Sequence, residues 1–153
     1  MRPPEFIRQF SATTEIDAPT DRVWQVMSDP ERWHEWTPSI TSIRLLGGKP
    51  LAVGTRAIGR QPKLPPALWT VTAVDAGRSF TWVSVGPGLR VVARHSVEPT
   101  ARGSRATLSI EMEGVLGGMW GWLTRGITEL YLALEARGLK ARSEDPGYRR
   151  APG

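Results

Sequence analysis

The chain predicts an α+β fold in which seven antiparallel strands form one sheet and the helices are segregated on one side of it. Two observations carry that prediction. Short segments with strand-like alternation follow one another up to residue 113, separated by turn residues, and helical signals occur only after the first strand and after the last, with no crossover helix between. Length supplies a third: 153 residues is close to a usual domain size and enough to enclose a core. A single domain is expected over 1–143, followed by a basic, Pro- and Gly-containing tail at 144–153 that is expected to be disordered.

The strands are expected at about 7–17, 39–46, 54–61, 67–75, 79–86, 89–98 and 104–113. Gly47-Gly48-Lys49-Pro50, Asp75-Ala76-Gly77, Gly86-Pro87-Gly88 and Pro99 through Gly103 mark turns between them, since glycine supplies positive φ and proline pre-sets its own. Between the first two strands, Pro19 and Pro30 each fall where a helix's first turn would lie, because proline's fixed φ suits that turn and its missing N–H costs nothing there. Two short helices in tandem follow. Val23, Trp24 and Met27 give the first an apolar stripe, Asp29 is placed to cap the second, and Trp33 and Trp36 share one face of it.

Strand parity assigns faces, because alternate side chains point to opposite sides. Leu89, Val91, Ala93, His95 and Val97 are apolar apart from the histidine and are expected to face inward, against a polar set that includes Arg90 and Arg94. Ala106, Leu108, Ile110 and Met112 face inward in the last strand, leaving Glu111 and Glu113 outside. Phe80, Trp82 and Ser84 share a face, as do Trp69, Val71 and Ala73, with less clean alternation. Ile58 falls with Arg56 and Arg60, and the desolvation cost of an unpaired arginine favours the outward reading of that face.

The last helix is expected as one continuous element from Gly117-Gly118 to about Arg142, about 35 to 40 Å long and able to cross a whole sheet. Leu116, Trp120, Leu123, Ile127, Leu130 and Leu134 step by four and three and form its expected buried stripe. Arg125, Glu129, Glu135 and Arg137 are expected in solvent.

Composition excludes several chemistries. There is no cysteine, hence no disulfide framework, thiolate nucleophile or thiolate metal site. No paired histidines, HExxH or acidic loop suggests a metal, no GxxxxGK[ST] or GxGxxG pattern suggests a nucleotide, and no cofactor is expected. The net charge of +5 hints at nucleic acid, yet +3 of it lies from residue 137 onward, so no nucleic-acid partner is expected. No membrane span or secretory signal is read, and a soluble, cytoplasmic monomer or homodimer is expected.

Several pieces of the chain, in order, carry a family likeness: the stretch Glu15–Ile40, then Gly54-Thr55-Arg56, Gln61-Pro62, Leu64-Pro65-Pro66, Trp69-Thr70-Val71, Phe80-Thr81-Trp82, Ala93-Arg94-His95 and Gly103-Ser104-Arg105. Over roughly residues 8 to 142 the sequence resembles the START-like superfamily, also called SRPBCC or Bet v 1-like, and in particular its polyketide cyclase/dehydrase and lipid-transport-like branch. The resemblance implies a helix-grip fold, a curved seven-stranded antiparallel sheet wrapped around a long C-terminal helix, with a cavity for apolar small molecules between them. A fold of that kind fixes a cavity and leaves the reaction open.

Within that cavity the expected ligand-binding residues are Trp36, Ile58, Trp69, Val71, Trp82, Val91, His95, Trp120, Leu123 and Ile127. Two functions share it: binding of a hydrophobic aromatic, polyketide-like or lipid-like molecule, or a polyketide cyclase/dehydratase reaction with His95 as acid/base. His34, between two tryptophans on a short helix, reads as a surface group. The bulky run Met119-Trp120-Gly121-Trp122 would narrow or plug the cavity if it turned inward.

Overall fold

The computed structural model describes residues 7–48 and 50–147; the expected turn residue Lys49 and the tail residues 148–153 lie outside the described residues. Seven strands form one curved antiparallel sheet: β1 (Ile7–Ile16), β2 (Ser42–Leu46), β3 (Arg56–Arg60), β4 (Ala67–Asp75), β5 (Ser79–Gly86), β6 (Leu89–Thr100) and β7 (Gly103–Glu113). Their spatial order is β1-β7-β6-β5-β4-β3-β2. Because β1 and β2 are at opposite edges, the connection between them must cross the sheet, and α1 (Thr20–Met27) and a 3₁₀ helix (Pro30–Glu35) occupy that crossing.

Helix α1 buries Val23, Val26 and Met27, while Trp24 is half-buried and meets Phe80 edge-on, with ring centroids 6.4 Å apart. Pro30 is at the first position of the second helix as its φ dictates. Asp29 precedes it but makes no side-chain capping hydrogen bond, contrary to expectation; its carbonyl instead receives Arg32 N–H at 3.1 Å, the tighter pattern of a 3₁₀ turn. That geometry superposes residues three apart, so Trp33 and Trp36 lie together at 5.9 Å between ring centroids.

The face assignments hold in β6 and β7, where Ala93, His95, Val97, Ala106, Leu108 and Met112 are all buried. Glu113 departs from them: only 8% of it is exposed, with the Arg90 guanidinium from the paired position of β6 covering its carboxylate. Strand β4 departs too. A register shift between Val71 and Ala73 inserts Thr72, so Val71 opposes Trp82 and Val74 opposes Phe80, and Ala73 turns out to solvent. In β3, Arg56 and Arg60 are exposed and Ala57 and Gly59 face inward.

The C-terminal helical segment is broken. Helix α2 (Gly117–Leu123) ends at Thr124, and α3 (Arg125–Glu144) begins there. The Thr124 hydroxyl donates to the Trp120 carbonyl at 2.7 Å, a back-bond that bends helices, and Gly121 and Gly126 on either side are poor helix formers. The expected apolar stripe consequently does not face the sheet: Leu123 and Leu130 are 60% and 54% exposed, and Leu116 is also exposed. The buried face of α3 is Tyr131, Leu132, Glu135, Ala136, Gly138, Leu139 and Ser143. A glycine is required at 138 because α3 presses there on Trp36, the residue just past the 3₁₀ helix. A Cβ built on Gly138 would lie 2.0 Å from the Trp36 carbonyl oxygen.

The far end of α3 is clasped to β1 and α1. Lys140 Nζ donates to the Glu15 carbonyl at 2.9 Å, Asp17 N–H donates to Glu144 Oε2 at 2.7 Å, and Arg22 Nε donates to the Ser143 carbonyl at 3.2 Å. Glu35 receives both Arg32 and Arg142, the Arg32 hydrogen bond doing most to hold its carboxyl below the ordinary range. The helix is therefore fixed at its C-terminal end, and the interior opens toward its N-terminal end.

Candidate ligand-binding site

Two adjoining cavities lie between the concave face of the sheet and α3. An outer cleft of about 340 Å³ is open to solvent, and an inner pocket of about 60 Å³ lies deeper. They share Gly59, Gln61, Trp69, Ile110, Leu132 and Glu135 as common wall. The first is a small-molecule volume; the second has room for about two waters at their share of the liquid volume.

Strand pairing builds the inner pocket. Phe80 and His95 are direct partners across β5 and β6, which stacks their rings at 4.6 Å and 10°. Trp33, held by its Nε1–H donating to the Met27 carbonyl at 3.2 Å, covers His95 with 4.9 Å between ring centroids. Trp82 meets His95 edge-on at 6.0 Å and lies 5.6 Å from Trp69, which continues the aromatic wall into the outer cleft. His95 is 6% exposed and its Nδ1 has no hydrogen-bond partner among the described residues. Burial among rings disfavours the imidazolium and lowers its pKa to about 3, so the ring is neutral at pH 7.

The outer cleft is lined by Val91, Ile110 and Met112 on the sheet side and by Thr128, Tyr131, Leu132 and Glu135 on α3. Its mouth is formed by Leu64, Pro65 and Pro66 of the β3–β4 loop, with Val85 and Trp120 opposite. Two hydrogen bonds hold that loop: Tyr131 O–H donates to the Pro62 carbonyl, and Gln61 Nε2 donates to the Ser39 carbonyl at 3.2 Å. The bulky start of the C-terminal segment does not plug the cavity. Trp120 sits at the rim, and Trp122 is turned out beneath the Arg125 guanidinium, 5.1 Å from its ring centroid.

Among the expected site residues, Trp69, Trp82, Val91, His95 and Trp120 line one or both cavities. The others do not. Trp36 is taken up by its contact with Gly138, Ile58 shares the outer face with Arg56 and Arg60, and Val71 is closed into the core. Leu123 is exposed and Ile127 is half-buried away from the cavity, both because of the break at Thr124. His34 is exposed.

The residue that sequence reasoning missed is Glu135. Expected in solvent, it is 9% exposed and borders both cavities, and no hydrogen bond or ion pair to its carboxyl exists among the described residues. Burial disfavours the carboxylate and raises its pKa to about 8. A signal was present: Glu135 lies three after Leu132 and four before Leu139, on the line those two buried leucines define. At pH 7 the interior thus holds a neutral base and a largely protonated acid, an inversion of their usual states.

Among the described residues no group of three His, Asp or Glu could hold a metal ion, and no helix is long and apolar enough to cross a membrane. No curated protein sequence matches this chain. Solved structures with the same fold include a protein from Thermus thermophilus, at TM-score 0.71 and 18% identity over 89% of this chain and 97% of that one. The Zhui aromatase/cyclase from Streptomyces sp. R1128 aligns with TM-score 0.69 and 14% identity over 90% of this chain and 94% of its own. A norcoclaurine synthase point mutant from Thalictrum flavum, in complex with a transition-state analogue, gives 0.68 and 17% over 90% and 94%. At such identities these likenesses carry the fold alone. The family model described as polyketide cyclase/dehydrase and lipid transport matches residues 8–144, and the chain belongs to that family.

Proposed function

We propose that the chain binds an apolar small molecule, aromatic, polyketide-like or lipid-like, in the cleft between the sheet and α3. The observation that carries this reading is the open cleft of about 340 Å³ with aliphatic and tryptophan walls. Removing apolar area from water is worth about 25 cal/mol per Å², so a ligand burying about 200 Å² gains about 5 kcal/mol before the cost of lost motion. Trp69 and Trp120 line the cleft and make the event visible, since a ligand against their rings changes their emission.

The test is native mass spectrometry of freshly purified protein, followed by solvent extraction of anything released and titration of the extract back while following tryptophan fluorescence. A discrete adduct that rebinds, with weaker rebinding to Trp69→Ala, supports the reading. Apolar candidates of cleft size that leave both the mass and the fluorescence unchanged would overturn it.

A second reading, a polyketide cyclase/dehydratase, is favoured by the presence of two titratable groups in one interior. His95 was the expected acid/base, but with a pKa near 3 it lacks the imidazolium proton of a general acid at pH 7 and is a weak base. Glu135, near 8, is in its proton-donating form there. Orientation of a flexible substrate by the cleft would supply much of the rate. On this reading Glu135→Gln abolishes turnover of a poly-β-ketone substrate while its binding persists, and His95→Ala has the smaller effect. Equal turnover in wild type and Glu135→Gln would sink it.

A further inference from the structure

The charged groups of the interior are few enough to be read one by one. Among the described residues, neither cavity is lined by a lysine, an arginine or an aspartate. Helix α3 contributes Glu135 and Tyr131, whose hydroxyl is engaged with Pro62; β6 contributes His95. From β7 come Leu108, Ile110 and Met112, from the 3₁₀ helix Trp33, and from the β3–β4 loop Gln61. Among the described residues Glu135 is therefore the one carboxyl lining these cavities, and none of them offers a ready positive charge there.

A ligand carboxylate or phosphate would find no counter-charge there and would face Glu135 instead. A neutral carbonyl or hydroxyl ligand needs only a hydrogen-bond partner, which Ser84 and Gln61 already provide at the same cleft without a titrating group. What a carboxyl adds beyond those is negative charge. The walls point the same way, because indole faces attract cations, and Trp69 and Trp82 stand in series along the route from the cleft to the inner pocket.

From this arrangement, and resting on the cleft as the binding site, we propose that the ligand carries one basic nitrogen on an aromatic or aliphatic body, and that Glu135 is its recognition residue. The ammonium pairs with the Glu135 carboxylate where cleft and inner pocket meet, and the apolar body fills the cleft below Leu64, Pro65 and Trp120. Pairing restores a charge that burial suppresses in the free protein, so binding at pH 7 expels the proton from Glu135 into the buffer. His95 stays neutral, so it does not alter the proton count.

Three probes share a ring system and differ only in the polar group: naphthylethylamine, naphthylethanol and naphthylacetate. Calorimetric titration of the full chain at pH 7 is expected to rank them amine, alcohol, acid, with the amine at least about tenfold tighter than the alcohol. Repetition in buffers of different ionisation enthalpy is expected to give release of close to one proton per amine bound and close to none per alcohol. In Glu135→Gln the amine is expected to lose at least about tenfold and its proton release, while the alcohol binds as before and so reports an intact cleft. Alcohol binding with no preference for the amine, or an amine unaffected by Glu135→Gln, would overturn the nitrogen proposal and leave the cleft reading standing. Failure of all three probes to bind would overturn both.

Discussion

The inner pocket and the outer cleft are two ends of one interior, built from neighbouring residues of the same strands, and they differ in how completely side chains fill them. At the inner end Trp33, Phe80, Trp82 and His95 close ring on ring and leave about 60 Å³. At the outer end Val91, Ile110 and Met112 face a helix that has been turned aside by the break at Thr124, and about 340 Å³ stays open. Packing at the first end stabilises the fold, and incompleteness at the second leaves the cleft proposed as the binding site. Glu135 stands on the shared wall, a cost to stability as pH rises and, under the proposal above, the means of selecting a ligand.

The largest effect that tests this division is expected from Trp33→Ala. The indole is 2% exposed, touches four other rings and donates a buried hydrogen bond, so truncation should cost about 3–5 kcal/mol. In a chain of this size that lowers Tm by about 10 °C or more. A near-normal denaturant midpoint would mean that the inner end is not the closed core described.

Next comes Glu135→Gln, whose effect has a sign set by pH. In the folded chain the Glu135 pKa is raised from 4.5 to about 8, so the native state binds a proton that the unfolded chain has lost over that interval. Its contribution is complete below about 4.5 and is lost as pH rises toward 8. His95 acts oppositely: lowered from 6.5 to about 3, it makes stability rise with pH over that range. Glu35 and Glu144, both held low, by Arg32 and by the Asp17 N–H respectively, act only at the acid end. Wild type is thus expected to lose stability between pH 6.5 and 8, and Glu135→Gln to be flat there and more stable at pH 8 by about 1–3 kcal/mol. Parallel Tm profiles for the two proteins would show Glu135 to be solvated.

How much of this was legible follows from what each element demands. The seven strands could be read because turn glycines and prolines punctuate them and because the faces of β6 and β7 alternate. His95 was read as inward from parity, whereas Trp69 and Trp82, on strands with less clean alternation, were expected as wall residues only because the family resemblance implied a cavity. The β4 bulge at Thr72 was not legible, since one extra residue changes phase without changing composition. The C-terminal segment misled most. Ranking faces by the size of their apolar residues selected Leu123, Ile127, Leu130 and Leu134, whereas close approach to Trp36 requires Gly138, and that puts the face carrying Ala136, Gly138 and Ser143 on the buried side. Glu135 was missed for the same reason, because a charged residue among small ones reads as a solvated face.

At the outer end, Trp69→Ala should separate binding from stability. The side chain is half-buried and bounds both cavities, so its removal is expected to weaken an apolar ligand by about tenfold, or about 1.4 kcal/mol, with a stability cost under half that of Trp33→Ala. Fluorescence titration and chemical denaturation on the same sample measure the two quantities. If stability fell as far as in Trp33→Ala with affinity unchanged, Trp69 would belong to the inner end.

The smallest expected effect sharpens the comparison most, because it asks which face of the C-terminal segment the cleft uses. Leu123 has the spacing of a core residue, yet it is 60% exposed at the last position of α2, next to the turn at Thr124. A leucine already in water loses nothing on truncation, so Leu123→Ser should stay within about 0.5 kcal/mol of wild type and leave ligand affinity unchanged. Were α2 and α3 one straight helix in solution, Leu123 would point toward the sheet, and the same substitution would place a hydroxyl in the core at a cost of about 2–5 kcal/mol. The two geometries predict stabilities far enough apart for one denaturation curve to decide between them. The exposed outcome also fixes the direction of the opening, since the turn that puts Leu123 in water is the one that leaves Trp120 at the rim and the cleft unfilled.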